Sequence, residues 1–468
     1  MFLFRRNGRV FSEVENMKNQ NIPLVPPSKA IVRKYLSADA LFKMIRNQFK
    51  QISDFRKGEA TISLCDALMS GFAMFSLKDP SLLAFDERRK EEAHNLKNIY
   101  GIEQVPCDSR MREIIDDVTP ESLRPAFLSI FGQLQRGKAL EPMVFMEGCY
   151  LLSLDGTGYF SSEKLCSGSC MVKVSKKSGK ITYYMQALGA CIVHPDRKDV
   201  IALCPEMIQK QDGDRKNDCE RNAAKRFFEK LRKEHPHLKL IVIEDALSPN
   251  APHIQDLKAH DLHFILGVKP GDHDFLFKHV GRAVDEGKAV EFSCVDEKNS
   301  NVEHYFRIVN EVPLNGSNQD LLVNFLEYWQ AEGDEVKHFS WVTDFTVTLE
   351  NAYQIMRGGR ARWKVENETF NTLKNQGYHF EHNYGLGAKN LSTNFILLMM
   401  LAFLVDQTQQ LSCTLFQSVW KKLGSKRALR EQMRGMFQNF KLESMEMLYL
   451  ALLHGYEKQL PVICLNSS

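Results

Sequence analysis

Tyr150-Leu-Leu-Ser-Leu-Asp155 and Leu238-Lys-Leu-Ile-Val-Ile-Glu-Asp245 are the two stretches that decide the fold. Each is a short apolar run that ends on an aspartate, the pattern of a strand buried in a sheet. A buried strand has no use for an unpaired carboxylate, because burying that charge is costly unless a cation or a donor meets it. As neighbours, these strands would set Asp155 and Asp245 side by side. Oxygen donors that converge without His or Cys favour a hard cation such as Mg²⁺ or Mn²⁺.

Reading outward, Cys170-Met-Val-Lys-Val, a Lys177-Ser-Gly-Lys180 turn and the run from Ile181 to His194 predict a second and third strand joined as a hairpin. A helix is predicted over Arg221 to Leu231, a second near His253 to Leu257, a strand at His263 to Val268 and a helix near Phe275 to Ala283. The order is βββ-α-β-α-β-α, a mixed sheet with helices on it. Residues 289–345 break that order with four alternating apolar and polar runs separated by Asn, Gly, Ser and Asp turns, which predicts a β-rich insertion. Everything after Leu349 reads as helical, and no internal repeat or long linker appears.

The first 140 residues also read as helical. Leu41, Met44, Ile45, Phe49 and Ile52 recur at helical spacing, with Lys43, Arg46 and Lys50 on the outer face, either solvated or set to meet phosphate. Thr119 as N-cap, Pro120 after it, apolar Leu123, Phe127, Ile130, Phe131 and Leu134, and Gly137 past the end mark another helix.

The chain has 468 residues, 44% hydrophobic and 25% charged, which excludes disorder and low-complexity classes. Net charge is only +3, yet residues 1–60 hold 12 Lys/Arg against 5 Asp/Glu, so positive charge is local, as phosphate backbones require. The longest apolar run, Phe395 to Val405, falls short of the roughly 20 residues that cross a bilayer. Arg5, Arg6 and Arg9 follow the first apolar residues, the reverse of a secretory signal, so a cytoplasmic protein is expected. Eleven scattered cysteines predict reduced thiols, and Cys166 and Cys170 alone are a weak zinc signal.

A third acid follows from helical geometry. On a wheel of about 100° per residue, Trp363, Phe370 and Leu373 form one apolar stripe, Glu366 falls inside it and Glu368 faces water. Arg362 lies four residues before Glu366, in reach of it or of a nearby phosphate. Each acid also has a structural reading: Asp155-Gly-Thr-Gly as a turn, Asp245 as a helix N-cap, Glu366 as a partner of Arg362. The Asp-Gly-Thr string brings to mind aspartate-nucleophile phosphatases and actin-like ATPases, but the former need an Asp where this chain has Ser153, and no P-loop or dinucleotide fingerprint is present.

Asp155, Asp245, the β-rich insertion and Arg362-Trp-Lys-Val-Glu366 together resemble a DDE transposase of bacterial insertion sequences, the cut-and-paste branch with an insertion before the catalytic Glu. The resemblance covers about residues 105–412. In the signature Tyr-x2-Arg-x3-Glu-x6-Lys, Arg362 and Glu366 fit, the Tyr position is Gly359, and the Lys position is Leu373 with Lys374 next. The resemblance implies an α/β fold with a ribonuclease-H-like mixed-sheet core and helical N- and C-terminal regions. It divides the chain into a DNA-binding and assembly region at 1–140, core at 141–288, insertion at 289–345, core with the catalytic helix at 346–412 and a C-terminal helical region at 413–468.

It further implies that Asp155, Asp245 and Glu366 are catalytic and hold two Mg²⁺ ions, with Mn²⁺ able to substitute. Trp341 would stack on a flipped base near the cleavage site, and Arg362, Lys374, Asn367 and Asn371 would contact DNA. The partners implied are double-stranded DNA, as terminal inverted repeats and as target, and a second copy in a homodimeric synaptic complex. A nucleoid-associated cytoplasmic place follows, with no membrane partner. His194 reads as a turn or core residue, and the run Lys421, Lys422, Lys426, Arg427, Arg430 and Arg434 as a DNA grip or a solvated face. The rivals are a metal-dependent endonuclease without strand transfer, against which the insertion and helical N-terminus argue, and a non-catalytic DNA-binding protein derived from a transposase, against which the three carboxylates argue.

Overall fold

The computed structural model describes residues 34–58, 60–210, 216–246 and 248–455. The basic residues Arg5, Arg6 and Arg9 lie outside the described residues, as do half of the 12 Lys/Arg read over residues 1–60. Six helices come first: α1 (Ala38–Phe49), α2 (Leu64–Ser76), α3 (Leu82–Glu91), α4 (Ala93–Tyr100), α5 (Asp108–Asp116) and α6 (Arg124–Arg136). Helix α1 buries Leu41, Phe42, Ile45 and Phe49 and leaves Lys43 and Lys50 outside. Arg46, expected on the outer face, instead turns to Asp66 at 3.0 Å. Thr119 precedes a 3-10 turn, Pro120–Leu123, without a side-chain cap bond, and α6 begins only at Arg124.

The sheet follows, built from β1 (Val144–Met146), β2 (Cys149–Ser162), β3 (Met171–Val174), β4 (Ile181–Val193), β5 (Ile201–Ala202), β6 (Glu206–Ile208), β7 (Leu240–Glu244), β8 (His263–Gly267), β9 (Val290–Val295), β10 (Val302–Asn315), β11 (Asn318–Glu332) and β12 (Glu335–Thr343). Helices α7 (Lys216–Glu234), α8 (Ala251–Ala259) and α9 (Asp274–Asp285) separate the strands from β6 to β9. The strand order is β3-β4-β2-β7-β8-β12-β11-β10-β9, with β5 and β6 on β4 and β1 on β2. β2 runs antiparallel to β4 and parallel to β7, which is parallel to β8. The residues of β7 are all buried, as a two-sided strand of Leu, Ile and Val requires.

The predicted hairpin of β3 and β4 forms, with Val174 opposite Ile181, and the short β5 and β6 also pair with β4. The β-rich segment is an antiparallel meander that joins the sheet, because β12 pairs with β8 through Trp341↔Gly267 and Thr343↔Ile265.

The chain ends in α10 (Ala352–Arg360), a 3-10 turn (Ala361–Trp363), a π-helical turn (Val365–Phe370), α11 (Asn371–Asn375), α12 (Leu391–Ser412), α13 (Thr414–Leu423), α14 (Lys426–Asn439) and α15 (Met445–His454). α12 is long and apolar enough to cross a membrane by length and composition, but 83% of its apolar window is buried. A helix apolar all round is a core helix, and Gly71 of α2 lets Leu398 approach so closely that a Cβ there would meet its Cδ1 at 2.9 Å. The first and last helices are also laced together. Asp116 caps α12 by accepting from the N–H groups of Ala388, Lys389, Asn390 and Leu391. Asp39 accepts from Met445 N–H at 2.7 Å, and Asn95 bonds the backbone of Phe437, Phe440 and Leu442.

Candidate active site

Ser153 on β2 pairs with Ile243 on β7, and that parallel register carried two residues on sets Asp155 across from Asp245. β7 has ended at Glu244, so Asp245 opens the loop to α8. β2 itself does not end at Asp155: it continues to Ser162 against β4, with Asp155 opposite Gly189, so the turn reading of Asp155-Gly-Thr-Gly fails. The N-cap reading of Asp245 fails as well, since Asn250 caps α8 through the His253 N–H at 3.1 Å. Asp155 and Asp245 line one cleft together with Glu220, Arg221, Glu244, Ser248 and His253.

The segment that carries Glu366 is laid over β2 and β4 by three local contacts. The Ser153 hydroxyl donates to the Arg362 carbonyl at 2.9 Å, Cys191 Sγ lies 3.3 Å from Thr369 Oγ1, and the Phe370 ring fills the space over Gly189. Arg362 Nη1 donates to Glu366 Oε1 at 2.7 Å and stands 3.9 Å from Asp155 Oδ2. Burial first, and then Glu366, which lies within hydrogen-bonding reach, push the Asp155 carboxyl up to about 7; Arg362 opposes this and Glu220 adds to it. Two acids that share a site without enough positive charge cannot both ionise freely.

The apolar stripe predicted around Glu366 is split. Phe370 and Leu373 are buried, whereas Trp363 is 54% exposed and the Glu366 side chain 46% exposed. The backbone changes from 3-10 to π to α over these residues, so a wheel of about 100° per residue does not apply. π turns of this kind gather at functional sites. Glu366 therefore reaches Asp155 from the open side of the cleft.

Trp341 does not have the open face that a base platform needs. It is 5% exposed, its ring is parallel to Phe339 at 5.9 Å, and Gly359 presses against its indole. An apolar strand between two others buries its aromatic on the covered face, so this residue belongs to the core. The exposed aromatic beside Glu366 is Trp363, edge-on to Phe339 at 6.4 Å. Asn367 and Asn371 are exposed, Asn371 accepting from Asn375; Lys374 is exposed and pairs with Glu381 at 3.0 Å.

The C-terminal basic run is spent mostly inside the fold. Lys422 donates to the carbonyls of Leu452 and Leu453, Lys426 lies over the Trp420 ring, and Arg430 and Arg434 donate to the carbonyls of Gln376 and Lys78. His194 shapes a turn, with the Asp196 N–H on its Nδ1 at 3.2 Å. The described cysteines are all free thiols.

The sequence reading missed Glu244 and His253. Both are buried, and His253 Nε2 lies 2.6 Å from Glu244 Oε2. It also missed Glu220, whose carboxylate lies against Gly156, where any side chain would displace it. The available signals were two consecutive acids at a strand end and a His in the first turn of the next helix. Among the described residues no three His, Cys, Asp or Glu side chains stand close enough to hold a metal ion as they are. The donor set nonetheless fits a hard cation in kind: Asp155, Asp245 and Glu366 offer only oxygen, and a cation would favour the charged carboxylate that burial and Glu366 disfavour at Asp155.

No protein-family model matches the sequence, and no curated protein does. Among solved structures, the chain is similar to a cryo-EM structure of the piggyBac transposase synaptic complex with hairpin DNA, over 90% of this chain and 79% of that one, at 13% identity and a TM-score of 0.36. A likeness at that score carries no argument.

Proposed function

We propose that the chain is a DDE-type DNA transposase of a bacterial insertion sequence, cutting the ends of its element and joining them to target DNA. The observation that carries the reading is the meeting of Asp155 and Glu366 in the cleft that Asp245 lines, three carboxylates from three separate elements. The order β4-β2-β7-β8, with β2 and β4 antiparallel and helices crossing between the parallel strands, supports a ribonuclease-H-like core.

Asp155, Asp245 and Glu366 would hold Mg²⁺, with Mn²⁺ able to stand in; when bound, the metal supplies charge neutralisation at the phosphate and activation of the attacking oxygen. Arg362 holds Glu366 in place and offers its remaining N–H groups to a phosphate oxygen. Trp363 takes the base-stacking role expected of Trp341, since its ring is open beside the carboxylates. Asn367, Asn371 and Lys374 extend the DNA-facing side. Two element ends must be held together, so the working form is a homodimer on terminal inverted repeats and target, in the nucleoid.

The test is incubation of the purified chain with labelled DNA bearing the ends of its own genomic element, Mg²⁺ or Mn²⁺ and a supercoiled target. End-specific cuts and joined products, absent with Asp155→Ala, are expected. Unspecific nicking without joining would replace this reading with an endonuclease, and binding without either product with a DNA-binding protein.

A further inference from the structure

The loop that carries Asp245 is closed at its base by two buried polar side chains with no counterpart in the signature. Glu244 is the last residue of β7 and His253 lies in the first turn of α8; they are 7% and 3% exposed and bond at 2.6 Å. Among the described residues between them, the Ser248 N–H bonds the Asp245 carbonyl, the Asn250 amide the Ser248 carbonyl, and the His253 N–H Asn250 Oδ1. On the other side Gly267 of β8 presses against the backbone of Glu244 and Asp245, where a Cβ would meet the Ala246 nitrogen at 3.3 Å. Phe228 lies against the His253 ring at 5.9 Å. Buried polar pairs add little net stability compared with apolar residues of similar size; what they add is a fixed geometry.

We infer that the Glu244–His253 bond is a positioning clamp that fixes the loop so that Asp245 faces Asp155. The inference rests on the metal-site reading above and deepens it. His253 acts through Glu244, as a positioning residue. Outer residues that orient metal ligands commonly change metal affinity by about 10–100-fold when removed.

The experiment is calorimetric titration of Mn²⁺ into the full chain without DNA, with thermal unfolding of each variant. Wild type should bind Mn²⁺ and Asp155→Asn should lose that binding; if wild type has no Asp155-dependent binding, the metal-site reading itself fails. Given that binding, His253→Leu should weaken Mn²⁺ about tenfold, and His253→Gln, which keeps a donor for Glu244, should restore it to near wild type. If His253→Leu does not fold, Glu244→Leu/His253→Leu removes both polar partners together and should fold yet bind Mn²⁺ as weakly. A folded His253→Leu or double variant with wild-type Mn²⁺ affinity, altered only in melting temperature, would overturn the clamp and leave the metal site standing.

Discussion

Asp155 and Asp406 are both covered acids, and their surroundings drive them in opposite directions. Around Asp155 stand Glu366 and Glu220 with Arg362, and its carboxyl is pushed up to about 7. Around Asp406 stand Lys78 at 2.8 Å, Arg430 at 3.7 Å and the Tyr378 hydroxyl, and its carboxyl is held low. The second site is electrically closed and ties the α2–α3 turn, the loop after α11, α12 and α14 together. The first is short of positive charge although an arginine is present. The balance at Asp406 marks a structural joint, whereas at Asp155 burial and the facing Glu366 both work against the charged carboxylate.

Four perturbations would break or sharpen that contrast. The largest effect is expected from Asp155→Asn, which should abolish end cleavage while leaving end-DNA binding intact and the melting temperature equal or higher, because it removes a repulsive charge; a large fall in melting temperature would make Asp155 structural. Asp406→Ala should cost about 3 kcal/mol in denaturant unfolding, since it strands the buried Lys78 ammonium, and Lys78→Met should cost less because Arg430 and Tyr378 still serve Asp406. Equal costs would mean that the joint is apolar packing.

Asp116 offers a third kind of acid, satisfied by backbone alone. Asp116→Ala should cost about 1–2 kcal/mol and uncouple the α12 N-terminus from α5, visible as faster amide exchange at Ala388 to Leu391. The smallest effect is a pH dependence. Burial lowers Lys78 to about 8 from an ordinary 10.5, despite Asp406. Below about pH 8 it is protonated in both folded and unfolded chains; between there and 10.5 only the unfolded chain keeps the proton, so this group's contribution to stability rises with pH. Wild type should gain about 1 kcal/mol on Lys78→Met from pH 8 to 9, and parallel stability curves would refute the lowering of Lys78 by burial.

Much of this was legible in the sequence, for particular reasons. The runs before Asp155 and Asp245 are apolar and end on acids, a pattern that few elements other than a core strand produce, and the meander at residues 290–343 alternates openly. Trp341 was misassigned because a tryptophan in a strand looks the same whether its face is covered or free; β12 joining β8 decided it. Glu366 is not the inward acid that the wheel predicted, since its side chain is 46% exposed and Glu368 is the more covered of the two; the π turn that causes this cannot be seen from side-chain spacing. Arg430 and Arg434 read as a phosphate grip because their partners, Gln376, Asp406 and Lys78, lie far away in sequence. Glu244 passed as strand filler, since nothing local joins it to His253 nine residues on.

The most direct test is single-turnover cleavage of labelled element-end DNA with Mg²⁺ by wild type, Asp155→Asn, Asp245→Asn and Glu366→Gln, with DNA binding measured alongside. Wild type is predicted to cut at the element end, and all three variants to bind the DNA and leave it uncut. Cleavage retained in any one of them would contradict the assignment of these three carboxylates to one site.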